Sequence, residues 1–225
     1  MSSLVFLDTE TTGLSAYYDR LIEIHLLAVE RNGDCQEWGT FINPERRIPA
    51  RITEITGITD EDVKNAPRED EVAVKIRDFI GNRIVVAHNL AFDLSFLNAM
   101  FERQNLRQLS KAQGVDTLAI SRKLFPKLCI YPGGEGSHKL KNLMYHFGLD
   151  RIYQNSHRAR DDVLLLAQVY RHLAAYQNRR DRFEYPKEVT HGCPSCGSVM
   201  KLEVIKGVRM LVCTKYPSCQ HRSVV

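Results

Sequence analysis

Short apolar runs alternate with polar breaks along the chain, and the period of each run sets the element it predicts. LVFLDTET, from residue 4, starts as a continuous apolar run and ends in two acids, which suits a buried strand with a polar end. Residues 21–30 and 36–43 read as two further strands around Asn32-Gly33, a dipeptide that favours a hairpin turn. Pro44 to Pro49 breaks regular structure. Thr59 or Asp60 can cap a short helix through Val63. Val72, Ile76, Phe79 and Ile80 recur at helical spacing among acids, so residues 69–80 read as a helix. RIVVAHN is a short strand stopped at Asn89, and residues 92–104 form the next helix. A short strand at 114–117 precedes a helix at 118–124 that ends at Pro126. Three glycines and a proline make 131–137 a loop, with Ser137 placed to cap a helix over 138–147. Residues 156–176 form the last long helix, with Val163, Leu166, Ala167, Val169, Tyr170 and Leu173 on its apolar face.

This order predicts an α/β fold, a sheet flanked by helices. With 225 residues, the chain has room for one body with its own core and a small appendage. The expected division is a body at 1–177, a polar and charged linker at 178–190 and a C-terminal module at 191–225. The 44% hydrophobic and 26% charged fractions are those of a soluble globular chain, and no apolar run is long enough for a membrane helix. The first residues lack a secretory signal, so a cytoplasmic location is expected.

Charge changes the picture only in its distribution. The net +4 is mild, but residues 179–225 hold nine basic residues against Asp181, Glu184, Glu188 and Glu203. A basic tail of this kind permits a polyanionic partner.

Asp8 and Glu10 lie two apart on the first strand and so share a face, where both carboxylates can meet one hard cation. Alone, such a pair is as easily a solvated strand end. But Asp8 follows four apolar residues, where a carboxylate is costly unless paired or metal-bound.

DTETTGL at 8–14, HNLAFDLSFL at 88–97 and HRARDD at 157–162 resemble the three motifs of the DEDDh family, the ribonuclease-H-like 3′→5′ exonucleases that include bacterial proofreading subunits. The likeness spans about residues 4–175 and extends to ITGITDEDV, DTLAISRKLFP and SHKLKNL between the motifs. It implies a ribonuclease-H-like mixed sheet and two Mg²⁺ or Mn²⁺ ions held by Asp8, Glu10, Asp93 and Asp162. It also implies His157 as the base that activates water. Asp161 competes with Asp162, and the family's HxAxxD spacing selects Asp162. Thr12 and Gly13 would then meet the terminal sugar, and Leu14 would wedge against the last base or simply pack. His88 and Asn89, at a strand end, are candidates for nucleotide contact, with a turn role open for Asn89. Glu23 and Asp116 read as structural partners, and His25, His138, His146 and His172 as packing or surface residues.

Four of the six cysteines cluster as C-x₂-C, sixteen residues, then C-x₅-C: Cys193, Cys196, Cys213 and Cys219. Two thiolate pairs of this spacing make one structural Zn²⁺ site, with two short strands around Lys206-Gly207 between them. This segment resembles the zinc ribbons of bacterial type I topoisomerases. Its basic residues and Tyr216 could bind nucleic acid, or the ribbon could dock a protein.

The expected activity is hydrolysis of single-stranded DNA from 3′ ends to nucleoside 5′-monophosphates, in repair or proofreading. RNA 3′-end trimming and a non-catalytic end-binding protein are the alternatives. Oligomeric state is left open.

Overall fold

In a computed structural model, the described residues are 3–153, 155–178 and, towards the C-terminus, 195–196, 200–205, 208–213, 215, 218–219 and 222–224. The expected linker beyond residue 178, Cys193, Tyr216 and the Lys206-Gly207 turn lie outside them.

The body is a five-stranded mixed sheet in the order β3-β2-β1-β4-β5. β1 (Leu4–Thr11), β2 (Leu21–Val29) and β3 (Cys35–Phe41) form an antiparallel meander. β4 (Ile84–Ala87) runs parallel to β1, and β5 (Gly114–Asp116) parallel to β4. Between β3 and β4 come α1 (Ala50–Thr56), α2 (Asp60–Val63) and α3 (Glu69–Ile80). α4 (Leu90–Arg103) links β4 to β5, followed by α5 (Thr117–Leu124), α6 (Leu140–His146) and α7 (Ala159–Asn178).

The alternation of β1 sorts its side chains between two layers. Val5 and Leu7 join the cluster built with α3 and α4, including Ile76, Leu94, Leu97 and Met100. Phe6 faces the other way, into the cluster of α6 and α7 with Leu143, Val163, Leu166 and Val169, and its ring meets Tyr170 edge-on at 5.5 Å. A third, smaller cluster of Ile22, Ile48, Ile58 and Val63 seats α1 and α2 against the end of β2.

Several local expectations change. Pro49 does not only break structure: it precedes α1, whose seven residues carry too few buried positions to print a helical period. Thr59, not Asp60, caps α2, with Asp62 completing a capping box. α4 begins two residues earlier than its pattern suggests, directly after Asn89 in a left-handed conformation (φ 74°). Ser137 is not a helix cap: α6 starts at Leu140 after Lys139, and the Ser137 carbonyl instead accepts from Asn142 Nδ2 at 2.6 Å. α7 starts at Ala159 rather than 156, which leaves His157 in the preceding loop with φ 54°. In the C-terminal segment β6 (Met200–Ile205) and β7 (Val208–Cys213) pair antiparallel as expected, and β8 (Arg222–Val224) adds a third strand. No described helix is long and apolar enough to cross a membrane.

Candidate active site

The polar end of β1 continues the same two-face alternation. Asp8 and Glu10 fall on the Phe6 face, towards α7, and Thr9 falls on the Leu7 face, towards α4. Asp162, in the first turn of α7, is 6% exposed and meets Asp8 and Glu10, with one carboxylate oxygen of each within 4.8 Å of the others. Asp93 arrives from the opposite layer, on the first turn of α4, where Thr9 Oγ1 donates to its Oδ1 at 2.8 Å. The carboxylates therefore straddle one end of β1, three on one face and one reaching in from the other.

Burial raises the pKa of all four acids, and repulsion from neighbouring carboxylates adds to it. Asp8 is pushed well above the carboxylate range, first by burial and then by Asp93, Asp162 and Glu10. Glu10 rises to about 8 by burial, with Asp162, Glu23 and Asp93 adding repulsion. Asp93 and Asp162 are each raised to about 7, chiefly by burial, with hydrogen bonds from Thr9 and Asn155 opposing the rise. Such a cluster is a poor resting place for several negative charges and a good one for divalent cations, whose oxygen ligands it supplies.

Glu23 lies directly across β2 from Glu10, a like-charge pair that would destabilise the sheet. Arg158 offsets it, with Nη2 2.9 Å and Nε 3.2 Å from the Glu23 carboxylate. The Ala159 N–H also donates to Glu23 at 3.0 Å. The segment between His157 and Asp162 is thus bolted to β2, and the fully buried Ala159 leaves room for that approach. A register shift after Glu10 leaves Ile22 as an extra residue on β2 beside the site.

The flanking candidates separate. His157 is 39% exposed, with Nε2 3.7 Å from Glu135 Oε2. Leu14 stands 87% exposed, so it does not pack. Thr12 and Gly13 form the turn after β1, where a Cβ on Gly13 would come within 2.4 Å of the Asp19 carboxylate. Asn89 is exposed and its backbone N–H donates to Asp116 Oδ1 at 3.2 Å. His88 was expected near substrate, but both ring nitrogens have protein partners: Nε2 donates to the His138 carbonyl (2.8 Å) and Nδ1 meets Thr117 Oγ1 (2.9 Å). Burial holds its pKa down at about 4, so the ring is a neutral latch between β4 and the loop before α6. Asp116 caps α5, and Asp161 accepts from Ser156 Oγ at 2.7 Å while its charge adds to the rise at Asp162.

Three contributors escaped the sequence. Thr9 and Asn155 bond the site acids, and Glu135 approaches His157 while pairing with Lys141 Nζ at 2.6 Å. Glu135 had one visible signal, a lone acid among the glycines of 131–137.

The family model described as RNase_T, exonuclease, matches residues 5–170. The chain belongs to the RNase_T exonuclease family. Its class is that of the 3′→5′ exonucleases. Within this family it is 36% identical over 174 residues to the DNA polymerase III subunit epsilon of Treponema pallidum, covering 77% of each chain. It is 40% identical over 126 residues to the PolC-type DNA polymerase III of Streptococcus pneumoniae strain D39, but spans only 8% of that protein. Among solved structures, Exonuclease I of E. coli in complex with a dT13 oligonucleotide superposes with a TM-score of 0.68 at 17% identity, over 94% of this chain and 55% of that one. Exonuclease X in complex with 5′ overhanging duplex DNA gives 0.59 at 22% identity, over 78% and 93%. At these identities the two structures speak to the fold, a five-stranded sheet between helical layers.

At the C-terminus, Cys196, Cys213 and Cys219 place their sulfurs within 4.8 Å of one another, with Cys196 and Cys213 3.5 Å apart. The Lys215 N–H donates to Cys213 Sγ at 3.4 Å, and Cys213 is fully buried. Cys193 lies outside the described residues.

Proposed function

We propose that this chain removes nucleotides one at a time from the 3′ end of single-stranded DNA, releasing nucleoside 5′-monophosphates. The observation that carries this reading is the meeting of Asp8, Glu10 and Asp162 within 4.8 Å at the end of β1. Asp8, Glu10, Asp93 and Asp162 would hold two Mg²⁺ or Mn²⁺ ions. When bound, such a pair neutralises phosphate charge and lowers the cost of water attack and of alkoxide departure. His157, half-exposed on a backbone bolted through Arg158 and Ala159 to Glu23, accepts the proton of the attacking water. Thr12 and Gly13 contact the terminal sugar, and the exposed Leu14 lies against the terminal base. Asn89 presents its side chain at the same edge, whereas His88 acts by holding the loop before α6.

DNA is favoured over RNA because the relatives and the superposing structures are, by name, DNA polymerase subunits and exonucleases holding DNA. Repair or proofreading is the corresponding biological role. The chain is read as a catalytic domain at 1–177, a linker at 178–190 and a zinc ribbon at 191–225. One Zn²⁺ would be held by Cys193, Cys196, Cys213 and Cys219, a reading supported by the three converging sulfurs and the N–H bond to Cys213.

The test uses single-stranded DNA and RNA of matched sequence, labelled in the 3′-terminal nucleotide, with Mg²⁺ or Mn²⁺. Mononucleotides should appear first, from DNA faster than from RNA, and Asp8→Asn should abolish them. Faster release from RNA would transfer the reading to RNA trimming. No release from either would leave a non-catalytic end-binding protein.

A further inference from the structure

The loop joining β1 and β2 displays two aromatic rings that the catalytic reading does not use. Tyr17 is 80% exposed and Tyr18 70% exposed, with ring centroids 4.8 Å apart in an edge-to-face pair. A loose loop would explain such exposure, but this one is tightly tied. The Tyr18 and Asp19 N–H groups both donate to the Ser15 carbonyl, at 3.1 and 2.7 Å. The Asp19 carboxylate accepts from the Ser15 N–H at 2.9 Å. Arg20 Nη1 reaches the carbonyls of Tyr17, Tyr18 and Asp19, and Arg46 Nη1 also donates to the Tyr18 carbonyl. Two guanidinium groups therefore hold the turn in shape while their charge stays at the surface.

Beside Tyr17 lies a cavity of about 480 Å³, lined by Ala16, Tyr17 and Arg20 of the loop and Ala99, Glu102 and Arg103 of α4. Ala16 and Ala99 give its lining small side chains, and Glu102 adds an acid to the two arginines. Arg103 is paired with Glu69 at 2.8 and 2.9 Å, so among the described residues Arg20 is the cation of the lining without a carboxylate hydrogen bond, and Arg46 lies at the Tyr18 carbonyl beside it. α4 also carries Asp93, and Ala99 lies six residues further along, about 9 Å by the rise of a helix. One helix thus serves both the carboxylate centre and the hollow beside Tyr17.

We propose that Tyr17, Tyr18 and the adjoining cavity form a stacking platform for nucleotides upstream of the one being removed. The chemistry is that of a single nucleic-acid strand: flat faces on the two rings and phosphates near Arg20 and Arg46. Aromatic faces accept any base, so the platform confers affinity without sequence preference. The proposal rests on the exonuclease reading and adds a second contact zone to it.

The full chain and its Tyr17→Ala/Tyr18→Ala variant are assayed on two substrates with the same divalent ion. The p-nitrophenyl ester of thymidine 5′-monophosphate probes the carboxylate centre alone, and labelled oligonucleotides of increasing length probe the platform. For oligonucleotides the variant should show a KM raised about ten- to a hundredfold with kcat retained, as expected for losing base–aromatic stacking. Ester hydrolysis should not change, and Tyr17→Phe/Tyr18→Phe should restore the oligonucleotide KM. An unchanged KM overturns the platform and leaves the rings to a protein partner. A parallel loss on ester and oligonucleotide also overturns it, since the loop would then act only by shaping the carboxylate centre. If the unaltered chain cleaves neither substrate, the exonuclease reading fails and the platform with it.

Discussion

At the scale of single residues, the site is defined by carboxylates that cost stability. Asp8, Glu10, Asp93 and Asp162 all have folded pKa values raised above their usual range. The folded protein therefore binds more protons than the unfolded chain between the ordinary carboxylate range and about 8. Stability from these groups is present below about pH 4 and is lost as pH rises through the folded values. In EDTA, the melting temperature should fall steadily between about pH 5 and pH 8. Mn²⁺ should flatten that decline, and an unchanged slope with Mn²⁺ would contradict cation binding by these acids. His157→Ala tests the other half of the chemistry. Turnover should drop by about 10²–10⁴-fold, with Mn²⁺ still raising the melting temperature. Asp162→Asn should abolish that metal-linked stabilisation, whereas Asp161→Asn, whose native partner is Ser156, should keep it.

At the scale of elements, legibility followed the strength of periodic signals. β1, β2 and α3 were legible from their apolar runs and periods, whereas β3, with no buried side chain, was legible from the Asn32-Gly33 turn before it. α1 was not, because a seven-residue helix with a single buried side chain has no period to read. The placing of Asp8, Glu10 and Asp162 on one face followed from strand alternation plus motif order. The reach of Asp93 from the opposite layer did not, because sequence spacing says nothing of which side of a sheet a helix covers. The loop before α6 was read only as glycine-rich, and its organiser is Asn142. That fully buried amide accepts from the Tyr131 N–H and donates to the carbonyls of Cys129 and Ser137. Asn142→Ala should lower unfolding free energy by about 1–3 kcal/mol, read by urea denaturation, because buried partners lose their bonds. Gly134 has the same constraint from the other side, since a Cβ there would stand 2.0 Å from Asn142 Oδ1.

At the scale of the whole molecule, the proposed reading gives catalysis to the body and part of the affinity for nucleic acid to the basic tail. Removal of residues 178–225 should leave ester hydrolysis intact while raising the oligonucleotide KM, and should abolish zinc content from about one ion per chain. Retained zinc in the truncated form would place the metal elsewhere. Loss of ester hydrolysis would mean that the body depends on the tail for its fold. The carboxylate centre joins both helical layers, α4 through Asp93 and α7 through Asp162, so it is complete only when both have docked on the sheet.

The alternation of β1 also bears on how such a chain can change over generations. Leu4, Val5, Phe6 and Leu7 are apolar on both faces, so the strand would still bury well after losing one of them. But a one-residue loss turns every later side chain over. Thr9 would then face α7, while Asp8 and Glu10 would point at α4. Such a descendant would turn Asp8 into the apolar layer of α3 and α4 and lose the carboxylate centre. A change in the length of β1 that keeps Asp8 and Glu10 towards α7 is therefore a change of two residues.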